Sequence, residues 1–434
     1  MGKWAYRAFK AYYKLLNDHL LYRKVYSVGT ERIPGEGERI VLVSNHQNNA
    51  NDALGLILLL GGRRYPTIFT SGVFMEKVPW LRWFFDGIGL LPAYRADYEG
   101  LEHVDKNAAS MDEMKRRLME GRPVIIYPEG TGQFGRYLGR FIPNYLHLAF
   151  QAAETEGWKT DIKVVPTANH YSDYFEVQGE FMISVGEHVS LKPYYERYRQ
   201  KPRTTVREIN EVLHQRVKDM MLHVEDREHY DAIDFLRGSA FGDRYAGRGL
   251  TLPERLQKDR EMVAMMERKD DEQFYADALC LKHAEEKYAL RDGWVDEHAG
   301  WMQTLAEGGL QLLLMPLWVV SLWPHLFLYW LPTLLLGENR MYTNTYRALL
   351  NSLLVFPLSV LVTLAVVGGI YGQWMISLIW IFIWFLSARF AWWMWMRIKR
   401  TRGRLFLLTH PSARKEIEEI RQRIAVKWLE YGRK

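Results

Sequence analysis

A histidine and an aspartate follow an apolar run near the start of the chain. Residues 40–43 are Ile-Val-Leu-Val, which is typical of a buried strand. His46 and Asp52 come next, and an apolar helical pattern begins at Ala53. A histidine can take a proton from a hydroxyl, while a carboxylate fixes the imidazole tautomer and stabilises the imidazolium that forms. The pair therefore indicates a base for activating a hydroxyl group, which the substrate can itself supply.

The same residues also allow a structural interpretation. Asn49 and Asp52 have the spacing of a capping box, in which Asp52 would only cap the helix that follows. Asp52 is six positions after His46, and six steps along a continuous α-helix do not bring two side chains onto one face. For a catalytic pair we therefore expect His46 in the loop and Asp52 in the first helical turn. Asn51 is a rival partner, but an amide would stabilise an imidazolium poorly.

Several further strand patterns end in residues that could line a site. Strands are predicted at 26–30, 66–70, 90–91, 123–128, 162–165 and 181–185. Helical patterns at 104–119 and 143–154 alternate with them, which predicts an α/β layer fold. In such folds the loops after the strands collect the chemistry. The loop residues here are Arg95, Glu129, Gly130, Thr131 and Pro166. Arg136 and Arg140 are candidates for further phosphate or headgroup contacts, but we expect them to be surface cations.

Composition favours a membrane partner over nucleic acid. The 434 residues carry a formal net charge of +6, which fits either partner, and their number allows two or three domains. However, residues 310–396 are almost all apolar, and Asn351 to Ala388 contain no charged residue. Cys280 is the sole cysteine, which rules out an intramolecular disulfide and a cysteine-based zinc cluster. No cleavable signal peptide is visible, and we expect no metal, cofactor or nucleic acid.

The pattern along the chain predicts five regions. Residues 1–24 are aromatic and basic and predict an amphipathic helix on a membrane surface. Residues 25–200 contain the α/β domain. Residues 201–309 predict charged helices, which are either solvated or form a lid or a docking surface. Residues 310–396 predict the membrane region, and residues 397–434 a basic cytoplasmic tail.

Within the membrane region we expect a transmembrane hairpin. Segments 349–371 and 374–396 are long enough to span, whereas Pro316, Pro324 and Pro332 would break a helix over 310–336. We therefore expect a re-entrant or interfacial element at 310–336. The basic residues after 396 belong in the cytoplasm by the positive-inside rule, which requires an even number of crossings if the α/β domain is cytoplasmic too.

With these strand ends together, residues 25–190 resemble the glycerophospholipid acyltransferase superfamily. The similar segments are Asn45-His46…Asp52, Gly89 to Arg95, Pro128-Glu129-Gly130-Thr131 and Val164-Val165-Pro166, in the family order. The family's first motif has one residue fewer between histidine and aspartate. The charged region and the hairpin resemble the longer, yeast-type glycerol-3-phosphate acyltransferases and their bacterial relatives, in which the longer spacing is tolerated.

The resemblance implies an integral-membrane acyltransferase with its catalytic domain on the cytoplasmic face. It would move a fatty acyl group from acyl-CoA or acyl-carrier protein to glycerol-3-phosphate or lysophosphatidic acid. His46 and Asp52 would be catalytic. The implied substrate-binding residues are Asn45, Gly89, Arg95, Glu129, Gly130, Thr131 and Pro166, with Arg95 on the acceptor phosphate. Two alternatives stay open: an acyltransferase for another lysolipid, such as an amino-acid-based lipid, and a non-catalytic membrane scaffold.

Overall fold

The computed structural model of the chain describes residues 3–61, 65–94, 105–130, 132, 135–247, 249–269, 271–296, 299–322, 325, 331, 334 and 343–432. The chain divides into two compact units. The first comprises Met1–Met221 and Asn339–Ala348, and the second Leu222–Glu338 and Leu349–Lys434. The predicted boundary at residue 200 falls inside the first unit, because the helix after it packs Val206, Ile209 and Leu213 into the core beside the sheet.

The first unit is built on one mixed sheet. Among its described residues the strands are β1 (Tyr22–Val28), β2 (Arg39–Ser44), β3 (Thr67–Ser71), β4 (Leu90–Ala93), β5 (Val124–Ile126), β6 (Ile162–Tyr171), β7 (Gly179–Val185) and β8 (Val189–Ser190). Their order is β1-β7-β6-β2-β5-β3-β4, with β8 beside β6. β6 is antiparallel to β7 and β8, whereas the other neighbours are parallel. The predicted mixed α/β fold is confirmed.

Helices flank this sheet. They are α1 (Lys3–Leu16), α2 (Ala50–Leu59), α3 (Gly72–Lys77), α4 (Arg82–Ile88), α5 (Asn107–Met119), α6 (Asn144–Thr155), α7 (Tyr195–Gln200) and α8 (Pro202–Met220). The amphipathic helix predicted over 1–24 is shorter, because a π-helical turn at Asn17–Leu21 leads directly into β1. The Lys10 ammonium donates to the carbonyls of Ile57 and Gly61 at the end of α2. α1 is thereby fastened to the unit, while Trp4 stays exposed.

β2 lies at the centre of the sheet, which explains its uninterrupted apolar sequence. It pairs in parallel with β6 on one side and β5 on the other. A parallel strand in mid-sheet is covered on both faces, so residues that point either way must be apolar. Residues 40–44 are buried accordingly. The strand delivers His46 to the edge of the sheet where β5 delivers Glu129.

β6 is longer than the sequence predicts, because Pro166 does not end it. Pro166 stands opposite Val43 in the parallel ladder, and its carbonyl accepts the Gly186 amide at 2.9 Å on the other side. In a strand, a residue's N–H and C=O point to the same neighbour. The nitrogen of Pro166 therefore faces the turn between β7 and β8. Because this nitrogen does not face β2, its lack of a hydrogen removes no hydrogen bond between β6 and β2. The strand continues to Tyr171.

The second unit contains a helical bundle with buried charges. Its described helices outside the apolar region are α9 (Tyr230–Gly238), α10 (Ala240–Ala246), α11 (Leu252–Glu267), α12 (Glu272–Tyr288), α13 (Asp292–Asp296) and α18 (Pro411–Gly432). Asp259 is buried and pairs with Arg237 at 3.1 Å and Arg255 at 2.6 Å. The region is helical, and Asp259 and Arg237 within it are buried and not solvated. The predicted tail is also helical, and Lys427 pairs with Asp271 of this unit at 2.6 Å.

Three described helices are long and apolar enough to cross a membrane: Trp301–Leu322, Thr343–Ile370 and Trp374–Thr409. We label the first α14 and the third α17; the second consists of α15 (Thr343–Leu350), a π-helical stretch, α16 (Phe356–Thr363) and a second π-helical stretch. α14 runs through Pro316, so the prediction that this proline breaks the helix is wrong. Pro324 and Pro332 lie outside the described residues.

α14 and α17 contact each other through polar groups along their length. Glu307 pairs with Arg404 at 2.9 Å, and the Gln311 amide donates to the Thr401 hydroxyl at 2.7 Å. Further along, the Trp318 indole N–H donates to the Ala391 carbonyl at 3.0 Å. His325, which follows the end of α14 by three residues, has its Nε2 3.0 Å from the Trp384 carbonyl. As the number on α14 rises, the partner's number on α17 falls, so the two helices are antiparallel.

Candidate active site

His46 and Asp52 form a hydrogen-bonded pair after the central strand. β2 ends at Ser44 and α2 begins at Ala50, so His46 lies in the loop and Asp52 in the first helical turn, as predicted. His46 Nδ1 is 2.9 Å from Asp52 Oδ2. Asp52 is fully buried, whereas the His46 side chain keeps 21% of its surface exposed. The six-residue spacing is accommodated because Asn49 turns the loop at a positive φ of 47°.

The loop supplies Asp52 with further hydrogen bonds. The amides of Gln47 and Asn48 each donate to Asp52 Oδ2 at 2.8 Å, and the Tyr171 hydroxyl donates to Oδ1 at 2.7 Å. The Asn49 side chain makes no capping bond, which sets the capping-box interpretation aside. Asp52 is thus held by neutral donors and one imidazole. Among these donors to Asp52, only the His46 imidazole can carry a positive charge.

This arrangement fixes the histidine tautomer. An ionised carboxylate can only accept, so Nδ1 of His46 carries the proton and Nε2 presents a lone pair. Nε2 forms no hydrogen bond with any of the described residues. The Tyr127 ring stacks on the imidazole with 4.1 Å between ring centroids and limits its rotation. His46 is therefore oriented as a general base.

Asn51 is not the partner of His46. Its amide lies 3.4 Å from the Asn48 side-chain oxygen and points within the loop. The structure therefore selects Asp52 between the two rivals that the spacing left.

Glu129 positions the histidine by its backbone. One carboxylate oxygen accepts the His46 amide at 2.8 Å, and the other accepts the Gly139 amide at 2.7 Å. Burial raises the pKa of Glu129 to about 7, and the two N–H donors act in the opposite direction. Glu129 therefore joins the loop after β2 to the loop after β5. Glu129 is buried, and each of its oxygens accepts one main-chain amide.

The other predicted substrate-binding residues lie in different places. Gly130 follows Glu129 at the same edge, with a positive φ of 74°. Asn45 is buried and exchanges two hydrogen bonds with the Asn169 backbone, at 2.9 and 2.7 Å. Pro166 is an internal residue of β6. Arg95 and Thr131 lie outside the described residues.

Gly89 does not lie beside the His46–Asp52 pair, which we call the dyad. It precedes β4, at the opposite end of the parallel strands from His46. Its φ is +93°, and a Cβ there would lie 1.9 Å from the Pro66 carbonyl oxygen. The glycine is therefore required by the close approach of two backbone segments.

The sequence did not indicate Gln47 and Tyr171, which both donate to Asp52. It also did not indicate that Arg136 is buried against the end of β6. The Arg136 guanidinium is buried and donates to the carbonyls of Tyr171 at 2.9 Å and Ser172 at 3.1 Å. The prediction that it is a surface cation is wrong, whereas Arg140 is exposed as expected. Tyr171 could have been found only by extending β6 beyond Pro166.

The arrangement can abstract a proton at the partly exposed His46 ring. Within the described residues, no group of three His, Cys, Asp or Glu side chains is arranged to hold a metal ion. A base oriented by a buried carboxylate activates a hydroxyl without one. The geometry supports transfer of a group to a hydroxyl.

Comparison with known proteins connects this geometry to a family. A protein-family model described as "Acyltransferase" matches residues 24–170, which contain the dyad, Glu129 and Pro166. A probable 1-acyl-sn-glycerol-3-phosphate acyltransferase of Mycoplasma pneumoniae is 27% identical over 148 residues, covering 33% of this chain and 52% of the relative. The chain thus spans about half the length of this curated relative.

A solved structure is also similar to part of the chain. It is the 1-acyl-sn-glycerophosphate acyltransferase PlsC from Thermotoga maritima, with 17% sequence identity and a TM-score of 0.36. The match covers 50% of this chain and 80% of that one.

Proposed function

We propose that this chain is a membrane acyltransferase that moves a fatty acyl group from a thioester donor to a hydroxyl of a glycerophospholipid precursor. The family match over residues 24–170 supports acyl transfer. The observation that carries the proposal is the His46–Asp52 pair, because Asp52 orients the ring and Nε2 has no hydrogen-bond partner among the described residues. The donor would be acyl-CoA or acyl-carrier protein, and the acceptor glycerol-3-phosphate or lysophosphatidic acid. The longer, yeast-type branch is the subfamily we propose.

The residues suggest the following steps. His46 Nε2 takes the proton of the acceptor hydroxyl, and the oxygen attacks the thioester carbonyl carbon. Asp52 stabilises the imidazolium through Nδ1. The tetrahedral intermediate then collapses, the carbon–sulfur bond breaks, and the leaving thiolate takes the proton from His46. An ester and a free thiol result, with the base restored.

A substrate panel tests the activity directly. Full-length protein in detergent micelles is given labelled glycerol-3-phosphate or lysophosphatidic acid, each with acyl-CoA and with acyl-carrier protein. We expect an acylated product from at least one pair, lost in His46→Ala. His229→Ala, a histidine of the second unit, is the matched control and should retain the activity. No product from any pair, or an undiminished rate in His46→Ala, would contradict the proposal.

We assign the acceptor phosphate to Arg95 on the strength of its motif. A guanidinium binds phosphate through two parallel hydrogen bonds, and lysine keeps the charge but loses this fork. Arg95→Lys should raise the KM for the phosphate-bearing acceptor more than the KM for the donor. An unchanged acceptor KM would favour an acceptor without phosphate, such as an amino-acid-based lysolipid.

We also propose an integral-membrane protein with His46 on the cytoplasmic side, where thioester donors are found. The three apolar helices support membrane insertion. In a Cys280→Ser background, single cysteines at Tyr346, Gln373 and Arg402 are tested for labelling from each side. We expect Tyr346 and Arg402 to label from the cytoplasm and Gln373 from the far side. Labelling of Arg402 from outside would contradict this orientation.

A further inference from the structure

The first six residues of the second apolar helix, 343–348, belong to the first unit. Residues 343–348 begin α15, and Asn344 and Arg347 are buried there. A short connection between a domain and an apolar helix would ordinarily be solvated, and a buried arginine needs a specific reason. The contacts of these two side chains provide that reason.

Asn344 and Arg347 both bind the loop between β6 and β7. The Asn344 amide donates to the Tyr174 carbonyl at 2.5 Å, and the Arg347 guanidinium donates to the Phe175 carbonyl. Arg347 also donates to the Asn344 side-chain oxygen at 2.9 Å. Two adjacent carbonyls of the loop are therefore satisfied from α15, and the two side chains brace each other.

This loop is connected to the catalytic carboxylate by a short chain of hydrogen bonds. The Tyr174 hydroxyl donates to Gln47 Oε1 at 2.9 Å, and the Gln47 amide nitrogen of the main chain donates to Asp52 Oδ2 at 2.8 Å. Gln47 also donates to the Gly135 carbonyl at 2.8 Å and is buried. A displacement of Tyr174 would therefore shift the Gln47 side chain, and Gln47 is the residue next to His46.

The loop is held from the other side by Arg136, which binds the Tyr171 and Ser172 carbonyls and lies over the Tyr174 ring at 4.9 Å. Arg136 thus fixes the start of the loop, and α15 fixes its middle. Removal of the α15 donors would leave the carbonyl of the buried Tyr174, and that of Phe175, whose side chain is exposed, without these partners. Such groups move towards water if they can, because an unpaired buried carbonyl is costly.

We propose that Asn344 and Arg347 are positioning residues for the reaction, acting through Tyr174 and Gln47 on the His46–Asp52 pair. This inference rests on the proposed function. α15 continues into the second apolar segment, so the residues that begin the membrane anchor also complete the support of the catalytic loop. Release of α15 from the β6–β7 loop would lower the rate of transfer without removing any group that touches substrate.

The test compares full-length variants in detergent micelles. Arg347→Ala should lower kcat roughly ten- to hundredfold, since a misplaced base costs about this much, and should change the KM of donor and acceptor less than about twofold. Arg347→Lys keeps one donor for the Phe175 carbonyl and should recover part of kcat. Tyr346→Ala is the matched control, because Tyr346 lies on the same helical turn with 39% of its surface exposed, and it should behave as wild type.

A second readout does not depend on activity. The rate at which diethyl pyrocarbonate modifies the His46 peptide, measured by mass spectrometry, should rise in Arg347→Ala and Asn344→Ala and stay at the wild-type value in Tyr346→Ala. If the wild type transfers no acyl group, this rate still tests the connection between α15 and His46. Wild-type kcat together with a wild-type modification rate in Arg347→Ala would overturn the inference. If Arg347→Ala does not fold, the same two measurements on Arg347→Lys decide.

Discussion

The two units each contain a histidine that contacts an aspartate and stacks on a tyrosine. In the first unit, His46 Nδ1 lies 2.9 Å from Asp52, and the ring stacks on Tyr127. In the second, His229 Nδ1 lies 2.8 Å from Asp226, and the ring stacks on Tyr275 at the same 4.1 Å. The exposed fractions of the two histidines are also close, 21% and 17%. A histidine–aspartate pair is therefore not in itself a sign of catalysis.

The other ring nitrogen separates the two sites. His229 Nε2 lies 3.1 Å from Glu272, so carboxylates face both nitrogens. Burial lowers the pKa of His229, but the hydrogen bonds to Asp226 and Glu272 outweigh it and the pKa is raised. Two carboxylates favour the protonated form of this imidazole, and both of its nitrogens are engaged by hydrogen bonds. His46 has its second nitrogen free of described protein partners, which is what a base requires.

The largest expected difference is in the histidines themselves. His46→Ala should lower the transfer rate by about 10²–10⁴, as expected for loss of a general base. His229→Ala should leave it within about twofold, since no step involves that ring. Steady-state rates of both variants, with thermal melting as a check of folding, measure the comparison. Equal losses would show that the two pairs do not differ in function.

The aspartates should differ next. Asp52→Asn should lower kcat roughly 10²-fold, because a hydrogen bond to a charged group contributes about 1.5–3 kcal/mol and each 1.4 kcal/mol is a factor of about ten. Asp226→Asn should leave kcat unchanged. Asn51→Ala should have only a weak effect, since Asn51 does not contact His46. A greater loss in Asn51→Ala than in Asp52→Asn would refute the assignment of the dyad.

A smaller effect is expected at the tyrosine that donates to Asp52. Tyr171→Phe removes one of several donors to this carboxylate, so kcat should fall roughly three- to tenfold. Tyr275→Phe removes a hydroxyl that donates to the Met266 carbonyl beside the other pair, and it should not change kcat. The ratio of the two kcat values isolates the bond to Asp52. A ratio near one would assign Tyr171 to packing alone.

The smallest effect concerns stability and pH. Because the pKa of His229 in the fold is raised above its ordinary value of 6.5, its protonation stabilises the second unit below pH 6.5. This stabilisation is lost as pH rises through the raised pKa. His229→Gln should therefore lower stability at pH 6, by less than about 1 kcal/mol, and have less effect at higher pH. Melting curves of the two proteins across that range test the sign.

The sequence predicted the parts of this comparison that depend on local pattern. The apolar run of residues 40–43 predicted a buried strand, and the six-residue spacing predicted His46 in the loop and Asp52 in the first helical turn; both are found. His229 was not singled out, because Asp226 and His229 lie in a charged stretch with no apolar strand before them. Glu272, which decides its role, is 43 residues further along, and no local pattern indicates that contact.

The errors have a common physical cause. Proline was expected to end β6 at Pro166 and to break a helix at Pro316, since it lacks an N–H. The neighbours of each proline determine the outcome: a turn faces Pro166, and α17 packs along the helix that contains Pro316. The burial of Arg136 and Asp259 depends in the same way on partners distant in sequence. A sequence pattern predicts that a helix or strand is present. The residues that pack against it, which are distant in sequence, determine how long it is and which of its residues are buried.

The contacts between α14 and α17 impose a condition on the path of the chain. Glu307 is level with Arg404, and His325 is level with Trp384, so the beginning of α14 and the end of α17 share one end of the helix pair. If α17 crosses the bilayer, α14 goes with it in the opposite direction. Trp301 at the start of α14 and Thr409 at the end of α17 then lie on the same side of the bilayer. An antiparallel pair thus requires an even number of crossings between these two residues, whatever the number of apolar segments.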